Sequence, residues 1–294
     1  MLHSDWILKV TAIMKKYYRD IWVYSVLSLS LGLIACDSNK NDVKDQPQPQ
    51  QKQETPKIAE AEKADVLPYL NIQEQPAKIA LPFCERKNCI DVDIQTLATV
   101  DPWINQWIAK HQSKVIQDQI DMKQDLTLQQ AVNAYVKKSD QWQEQLLKLN
   151  KAYQLELYTR IPYQRNDYVL MQIGINSDQE GVKVKDRYYF FVSDRRQQKT
   201  LSLLDVIQPK QQSKMDEIVQ QAYQKWLKDS DAAVSLKAPK KIHWGQADWF
   251  FDQQGIGVHY HGDKIVANAK QLDIFLSKEQ TQQVLKAEIY QHMF

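Results

Sequence analysis

Two histidines near the C-terminus are the residues whose types and spacing are best suited to chemistry. His259 and His261 lie on either side of Tyr260, and Asp263 follows two positions later. On a β-strand, residues two apart face the same way about 7 Å apart, so both imidazoles could reach one metal ion with Asp263 as a third ligand. An exposed hairpin arm beside Gly262 explains the same residues without chemistry. We favour the exposed arm and predict neither a metal nor another cofactor, with His259, His261 and Asp263 as the metal-site alternative.

Other catalytic arrangements are missing from the sequence. No GxSxG, HExxH, GxxxxGK[ST] or GxGxxG motif occurs, and only 7 of the 294 residues are glycine. Asp248 and Asp252 could be proposed as paired carboxylates for glycoside cleavage. However, Asp252 lies in a predicted turn and Asp248 begins a predicted strand, so we interpret both as solvated acids. The sequence therefore predicts no catalytic residues and a protein that is not an enzyme.

Aromatic residues crowd the predicted hairpin near these histidines: Trp244, Trp249, Phe250, Phe251 and Tyr260. Aromatic faces stack on sugar rings as readily as on each other. Strand alternation sends about half of such residues into the core, so most of the cluster is structural. We predict that Trp244, Trp249 and Tyr260 bind a ligand.

The three cysteines agree with an extracytoplasmic location. Cys84 and Cys89 lie within the segment FCERKNC, and two cysteines at this spacing most simply close a small disulfide loop in an oxidising compartment. A metal half-site or a redox motif is the alternative, but neither a second cysteine pair nor a CxxC spacing accompanies them. The third cysteine, Cys36, is the predicted site of lipidation.

The segment before Cys36 has the parts of a secretory signal. Basic residues come first, an apolar stretch over 21–35 follows, and a small residue precedes the cysteine. The sequence LIAC at 33–36 resembles the lipobox of bacterial lipoprotein signal peptides, which implies cleavage and acylation of Cys36. A transmembrane anchor is the alternative, but about 15 apolar residues are fewer than the ~20 that a spanning helix needs. We predict a signal peptide over 1–35, whose true start could be Met14, and a membrane anchor made of lipid.

Residues 36–76 are predicted to form a disordered tether behind the acylated cysteine. The stretch is rich in Gln, Pro, Lys and acidic residues, and it has too little apolar surface to offset the conformational entropy that folding would remove. Its QPQPQQ tract could instead be a proline-rich ligand for a partner. The chain carries a formal net charge of +2, and the part after residue 35 has equal numbers of basic and acidic residues. A neutral chain has no excess of positive charge to attract nucleic acid, so nucleic acid is not predicted as a partner.

One domain over 77–294 is predicted to carry these residues. Apolar periodicity predicts strands over 78–83, 90–94, 152–159, 169–176, 187–193, 249–251, 256–260 and 272–276. It also predicts helices that begin close to residues 102, 128, 213 and 278. Asp101 is the expected N-cap of the first, and capping boxes that begin at Thr127 and Ser277 precede the second and the last. Strands and helices are grouped and do not strictly alternate. We therefore predict an α+β fold with a mainly antiparallel sheet packed by surface helices.

The order of these elements carries a resemblance to a known family. The segment YYFF at 188–191, followed by KTLSLLDVI at 199–207, is similar to a strand and a Leu-Thr-Leu-Asp-Leu turn of RsiV-type domains. A helix, the hairpin that begins at 249, a final strand and a final helix follow in that family's order. The resemblance implies an extracytoplasmic domain like that of the lysozyme-sensing anti-sigma-V factor. Two loops depart from the family pattern, at 176–181 and 260–264, where the family has exposed loops.

These observations together predict a lipid-anchored, non-catalytic lipoprotein of the cell envelope that faces the periplasm. Its expected partners are the membrane, through the lipid, and another envelope component, either a protein or the glycan of peptidoglycan. A divergent metal-dependent envelope hydrolase or deacetylase is one alternative, with its site at the two histidines. A lysozyme-binding, inhibitor-like protein is the other. Either the inner or the outer membrane holds the lipid.

Overall fold

The computed structural model describes residues 67–83, 89–145, 154–176, 188–267 and 269–294. The predicted signal peptide, Cys36 and most of the predicted tether lie outside these ranges. Cys84 does as well, so the lipidation of Cys36 and the disulfide between Cys84 and Cys89 stay predictions. Within the ranges described, no helix is long and apolar enough to cross a membrane.

A six-stranded sheet forms the centre of the domain, and its strands follow one another across the sheet in chain order. They are β1 (Gln73–Pro76), β2 (Asp91–Ala98), β3 (Gln154–Arg165), β4 (Tyr168–Asn176), β5 (Tyr188–Asp194) and β6 (Lys199–Leu201). Neighbouring strands run antiparallel except β2 and β3, which are parallel. A parallel pair needs a long crossover connection, and two helices occupy this one.

These two long helices cover one face of the sheet. Helix α1 (Pro102–Gln119) begins where Asp101 accepts hydrogen bonds from the first backbone N–H groups, as an N-cap residue does. Helix α2 (Leu128–Gln145) follows a capping box in which Thr127 and Gln130 exchange hydrogen bonds. The first core lies between these helices and the sheet and includes Ile104, Ile108, Ile116, Ala131, Leu155, Leu157, Met171 and Ile173.

Shorter helices and one long helix help to form a second core. They are α3 (Leu203–Val206), α4 (Gln212–Asp229), α5 (Ala232–Lys237), α6 (Gly262–Ile265), α7 (Lys278–Val284) and α8 (Ala287–Met293). Helix α4 buries Met215, Val219 and Tyr223 completely. The junction of α7 and α8 contacts the end of α3, where the N–H of Lys286 donates to the carbonyl of Val206. The chain's last helices are therefore tied to the turn after β6.

A three-stranded antiparallel sheet contains the residues on which the sequence hypotheses centre. It consists of β7 (Asp248–Phe251), β8 (Ile256–Tyr260) and β9 (Leu272–Phe275), with α6 between β8 and β9. Its inner face joins the second core, together with large-sheet residues that point away from α1 and α2, such as Leu170 and Val192. On its other face, Asp248, Phe250, Asp273 and Phe275 reach solvent, whereas His259 is buried against Phe190.

The predicted fold class is confirmed, since helices pack on a mostly antiparallel sheet. Three details of the prediction were wrong. The folded region begins before residue 77, because β1 pairs with β2 and Leu70 is completely buried. Residues 77–83, predicted to contain a strand, form none. The single closing helix is two helices, since Leu285 pairs with Ile207 as an isolated bridge between α7 and α8.

Candidate functional site

Aspartates from neighbouring strands hold both histidines of the HYH segment. His259 lies on β8 and donates from Nδ1 to Asp273 Oδ1 on β9, at 2.6 Å. His261 directly precedes α6 and donates from Nε2 to Asp248 Oδ2 on β7, at 3.1 Å. The two imidazole rings are 5.0 Å apart between centroids and nearly perpendicular. The structure thus forms two adjacent His–Asp pairs.

In both pairs the imidazole is buried and the carboxylate is partly exposed to solvent. The side chains of His259 and His261 are 1% and 4% exposed, whereas those of Asp273 and Asp248 are 27% and 24% exposed. A general base must come within hydrogen-bond reach of the proton that it removes from the substrate. A buried imidazole behind a surface carboxylate does not meet this condition. The geometry fits a structural role for the two rings.

The three residues of the metal hypothesis are not brought together as ligands. Asp263 is exposed on α6, while the two histidines bond to other carboxylates. No group of three or more His, Cys, Asp or Glu residues in the described part of the chain could hold a metal ion. The predicted exposed arm was also wrong, because every residue from Ile256 to His261 is buried.

The two aspartates considered for glycoside cleavage have separate roles. Asp252 Oδ1 accepts from the backbone N–H groups of Gln254 and Gly255, at 2.7 and 3.2 Å, as expected of an acid in a turn. Asp248 is not a solvated turn residue. Its Oδ2 accepts from the backbone N–H of Phe190, at 3.1 Å, in addition to His261. Asp248 therefore links β5 of the large sheet to the small sheet.

A second polar network connects α1 to the residues beside His261. The hydroxyl of Tyr189 donates to Asp118 Oδ2 at 2.7 Å and accepts from Gln119 Nε2 at 2.8 Å. The Tyr189 ring contacts the His261 ring, with centroids 4.7 Å apart. Lys264 on α6 approaches Asp118 at 3.5 Å. These contacts fix the start of β5 between the long helices and the small sheet.

His111 is a buried histidine that sequence reasoning missed. It lies on α1, its Nδ1–H donates to the Trp107 carbonyl at 2.8 Å, and its ring is 4.2 Å from that of Phe191. Burial lowers the pKa of His111 to about 4, and the neighbouring positive charges of Lys114 and Lys110 add to this effect. His111 is therefore neutral at pH 7. The helical spacing of apolar residues on α1 was the signal that could have placed it in the core.

The aromatic residues predicted to bind a ligand are buried instead. Trp244, Trp249 and Tyr260 are 1%, 3% and 5% exposed and belong to the second core. The Trp249 indole N–H donates to the carbonyl of Leu201 at 2.7 Å, which ties β7 to the end of β6. Burial raises the pKa of Tyr260 far above its ordinary value. The predicted ligand surface was therefore wrong, because the largest aromatic residues of this region serve as core anchors.

A different row of side chains crosses both sheets; its large-sheet members share the face of Leu170 and Val192, and Phe190 and Phe250 also pack against the second core. The backbone register aligns its members on β3, β4 and β5, and again across β7, β8 and β9. Ring contacts join the two halves. The centroids of Phe190 and Phe250 are 5.0 Å apart, and those of Phe250 and Phe275 are 5.4 Å apart. We name this set the aromatic row; its residues are Arg160, Gln172, Phe190, Phe250 and Phe275.

Every side chain of the aromatic row reaches solvent. Phe275 is 52% exposed, Arg160 is exposed, and the other three are half-buried. A Cβ atom on Gly257 would lie 2.1 Å from the Phe250 ring, so this ring lies directly over the glycine. The Tyr158 ring covers Gly174 in the same way beside the row. An aromatic ring that covers a glycine turns its opposite face away from the sheet.

The two His–Asp pairs support the aromatic row from below. The His259 ring meets the Phe190 ring edge to face, with centroids 5.2 Å apart. Asp248 binds the Phe190 backbone and lies two residues before Phe250 on the same face of β7. The buried histidines thus fix the carboxylates, and the carboxylates flank the rings. The site has the composition of a binding surface, in which polar groups with fixed positions border aromatic faces.

Strand alternation carried the signal that could have located the row. On β7, Trp249 and Phe251 point inward, so Phe250 points outward, and Gly257 lies opposite it on β8. A glycine opposite an aromatic residue indicates a ring that crosses the neighbouring strand. The contribution of Phe190 could not be predicted, because its contact with Phe250 depends on how the two sheets meet.

Comparisons with known proteins find structures of similar fold but indicate no activity. A scan against protein-family models found no match, and a search of curated proteins found none. The solved structures that are similar to this chain include two DUF3298 proteins. A DUF3298 family protein from Pseudomonas aeruginosa PAO1 has a TM-score of 0.54 at 16% identity over 76% of this chain and 97% of its own. A DUF3298 family member from Bacteroides fragilis NCTC 9343 has a TM-score of 0.51 at 14% identity, with the same coverage. This chain therefore shares the fold of these DUF3298 family proteins.

Proposed function

We propose that the protein is a lipid-anchored, non-catalytic module of the bacterial cell envelope that binds another envelope component. The observation that carries this proposal is the aromatic row, a solvent-facing line of rings bordered by fixed polar groups. Monomer surfaces seldom expose aromatic residues in a contiguous line unless the surface binds something. The expected bound component is an envelope protein or the peptidoglycan glycan.

The chemistry of the residues at and below the aromatic row favours binding over catalysis. The two histidines of the small sheet are buried behind their carboxylates, and His111 is buried against Phe191. A histidine that cannot contact a substrate cannot transfer a proton to or from it. The surface itself offers rings, carboxylates, an amide and a guanidinium, which are groups that recognise and hold a ligand.

The anchor in this proposal is the acylated Cys36. Its support is the LIAC sequence at 33–36, the basic residues before it and the apolar stretch over 21–35. The segment between Cys36 and β1 then serves as a spacer that holds the binding domain away from the membrane. A relation to RsiV-type domains is part of the same proposal, supported by the order of strands and helices from β5 to α8.

The experiment that tests the proposal uses the full chain extracted from membranes. Intact mass is measured for the wild type and for Cys36→Ser, and the components that co-purify after crosslinking are identified. We expect a wild-type mass that matches cleavage before Cys36 plus acyl chains, and an unprocessed Cys36→Ser variant. We also expect envelope components that are retained by the wild type and lost with Phe275→Ala.

A matched control separates the row from exposed aromatic residues in general. Phe83 is 89% exposed and lies outside the row, so Phe83→Ala removes the same side chain from another surface. This variant should retain the bound components. An unprocessed wild-type chain would contradict the lipid anchor, and equal retention by Phe275→Ala and the wild type would contradict binding at the row.

A further inference from the structure

We infer that the aromatic row binds a carbohydrate chain, with a sugar ring stacked on Phe250 and a sugar hydroxyl donating to Asp248 Oδ1. The inference rests on the proposed envelope-binding function and narrows its ligand to a glycan. Neutral hexose and N-acetylhexosamine chains share the required chemistry. Each has ring faces made of C–H groups and a rim of hydroxyl groups.

Along the row, aromatic rings that can stack on a sugar alternate with polar groups that can form hydrogen bonds to it. The C–H face of a sugar carries a slight positive charge and is attracted to the negative face of an aromatic ring. The hydroxyl rim needs hydrogen-bond partners, because a polar group that leaves water without one is destabilised. Asp248 lies two residues before Phe250, and Asp273 lies two residues before Phe275, so each ring has a carboxylate on its own face of the strand.

The carboxylate of Asp248 is held in place before any ligand arrives. Its Oδ2 accepts from the Phe190 N–H and from His261 Nε2. Oδ1 has no hydrogen-bond partner among the described residues, and the side chain is 24% exposed. A group that is already ordered loses little conformational entropy on binding, so it contributes more to affinity than a mobile side chain does. Buried His261 therefore acts as a positioning residue for a surface acceptor.

The second half of the row extends the same chemistry onto the large sheet. Gln172 and Arg160 align with Phe190 through the strand register and supply N–H donors for sugar oxygens. The row runs across the strands, so a ligand that follows it must be an extended chain with repeated apolar faces. A polysaccharide has this form.

The mixture of charges argues against a protein as the occupant. The centres of protein interfaces are depleted of charged residues, and their energetically important residues are completely desolvated on binding. Here Asp248 and Asp273, which are partly exposed, and Arg160, which is exposed, are interspersed with the three phenylalanine rings. Sugar hydroxyls suit such positions, because they exchange hydrogen bonds with water for hydrogen bonds with these groups.

The test is titration of the full chain, extracted in detergent, with two defined oligosaccharides, measured by isothermal calorimetry. Chitohexaose represents N-acetylhexosamine chains, and cellohexaose represents hexose chains. We expect saturable binding of at least one. Phe275→Ala removes an exposed ring, and Gly257→Ala places a Cβ atom 2.1 Å from the Phe250 ring and displaces it. Each variant should weaken binding about fivefold to tenfold, the loss expected for one aromatic contact.

Two controls keep the result interpretable. Phe83→Ala should bind as the wild type does, because Phe83 is exposed away from the row. Circular dichroism should show that Phe275→Ala stays folded, because the Phe275 side chain of the wild type is already half exposed to solvent. If neither sugar binds, or if binding survives both row variants, the inference is overturned. If no sugar binds but an envelope protein still co-purifies and is lost with Phe275→Ala, the proposed function stands and the glycan inference fails.

Discussion

His111 makes the stability of this domain depend on pH. Its folded pKa is about 4 against an ordinary 6.5, so the unfolded chain binds more protons between these values. Neutral His111 makes its full contribution to the free energy of unfolding above about pH 6.5, and this contribution is lost as the pH falls toward 4. At ~1.4 kcal/mol per pH unit, the loss reaches about 3 kcal/mol. Urea unfolding at several pH values should show this decline in the wild type.

The variant His111→Asn isolates that contribution, because asparagine can donate a hydrogen bond but does not titrate. It should be less stable than the wild type at pH 7, and the difference between the two proteins should shrink as the pH approaches 4. Parallel stability curves for the two proteins would show that other groups cause the decline.

Asp248 and Asp252 form a natural comparison, since each accepts two N–H groups. Asp248 accepts from Phe190 and His261 in partly buried positions, so Asp248→Ala removes the carboxylate that both groups donate to. The expected loss is about 2 to 4 kcal/mol of the free energy of unfolding. Asp252 accepts from Gln254 and Gly255 in an exposed turn, where water can replace it. Asp252→Ala should cost under about 1 kcal/mol. Equal losses in denaturant titrations would show that Asp248 does not link the sheets.

At the scale of elements, the KTLSLLDVI segment that carried the family resemblance has a structural role. Thr200 accepts from the Trp107 indole N–H of α1, and Leu201 accepts from the Trp249 indole N–H of β7. Farther on, the backbone of Val206 accepts from Lys286 at the start of α8. The segment therefore ties together the first core, the small sheet and the C-terminal helices. Its composition reflects this position and does not indicate a ligand.

The cap of α3 is the part of this segment that a single substitution can test. Asp205 accepts from the N–H and hydroxyl of Ser202 and from Lys199. Burial alone raises the pKa of Asp205, but these hydrogen bonds outweigh it and hold the pKa at about 2. Asp205→Ala should lower stability by about 1 kcal/mol. Because the contribution is lost only as the pH falls from 3.8 toward 2, the difference should stay constant between pH 5 and 8.

Glu217→Ala provides the control for this prediction. Glu217 also binds a lysine, Lys214, at 2.8 Å, but it lies exposed on α4 and caps no helix. The denaturation midpoint of this variant should match that of the wild type. If Glu217→Ala lowers stability as much as Asp205→Ala does, the contribution of Asp205 comes from its ion pair and not from the cap.

Elements with local signals could be predicted from the sequence, and those with non-local causes could not. The N-cap at Asp101 and the capping boxes at Thr127 and Ser277 depend on neighbours in the chain, and all three are confirmed. The exposed strand β1 has no apolar residue except Pro76 and forms by pairing with the edge of β2. Likewise, the break at Leu285 depends on Ile207, far away in the sequence. The prediction of which aromatic residues face solvent was wrong for the same reason, because the size of a side chain does not decide which face of a strand becomes the core.

At the scale of the whole domain, the large sheet lies between two cores. Adjacent residues of β4 point to opposite sides, so Met171 packs against α1 and α2, whereas Leu170 packs against the small sheet and α4. Neither core can lose its packing without uncovering a face of this strand. The aromatic row crosses the same sheet, so its geometry depends on both cores. The binding surface should therefore be lost in the same transition as the fold.

Substitutions in β4 test this coupling. Leu170→Ala and Met171→Ala each remove a buried side chain, and each should lower the free energy of unfolding by about 2 to 4 kcal/mol. Circular dichroism and tryptophan fluorescence should report one coincident transition in both variants, because the sheet is common to the two cores. Leu236→Ala on α5 changes a side chain that is 87% exposed and should leave the midpoint unchanged. Two separate transitions in Leu170→Ala, with only one shifted, would mean that the cores unfold independently and that the row can lose its shape while the helical side stays intact.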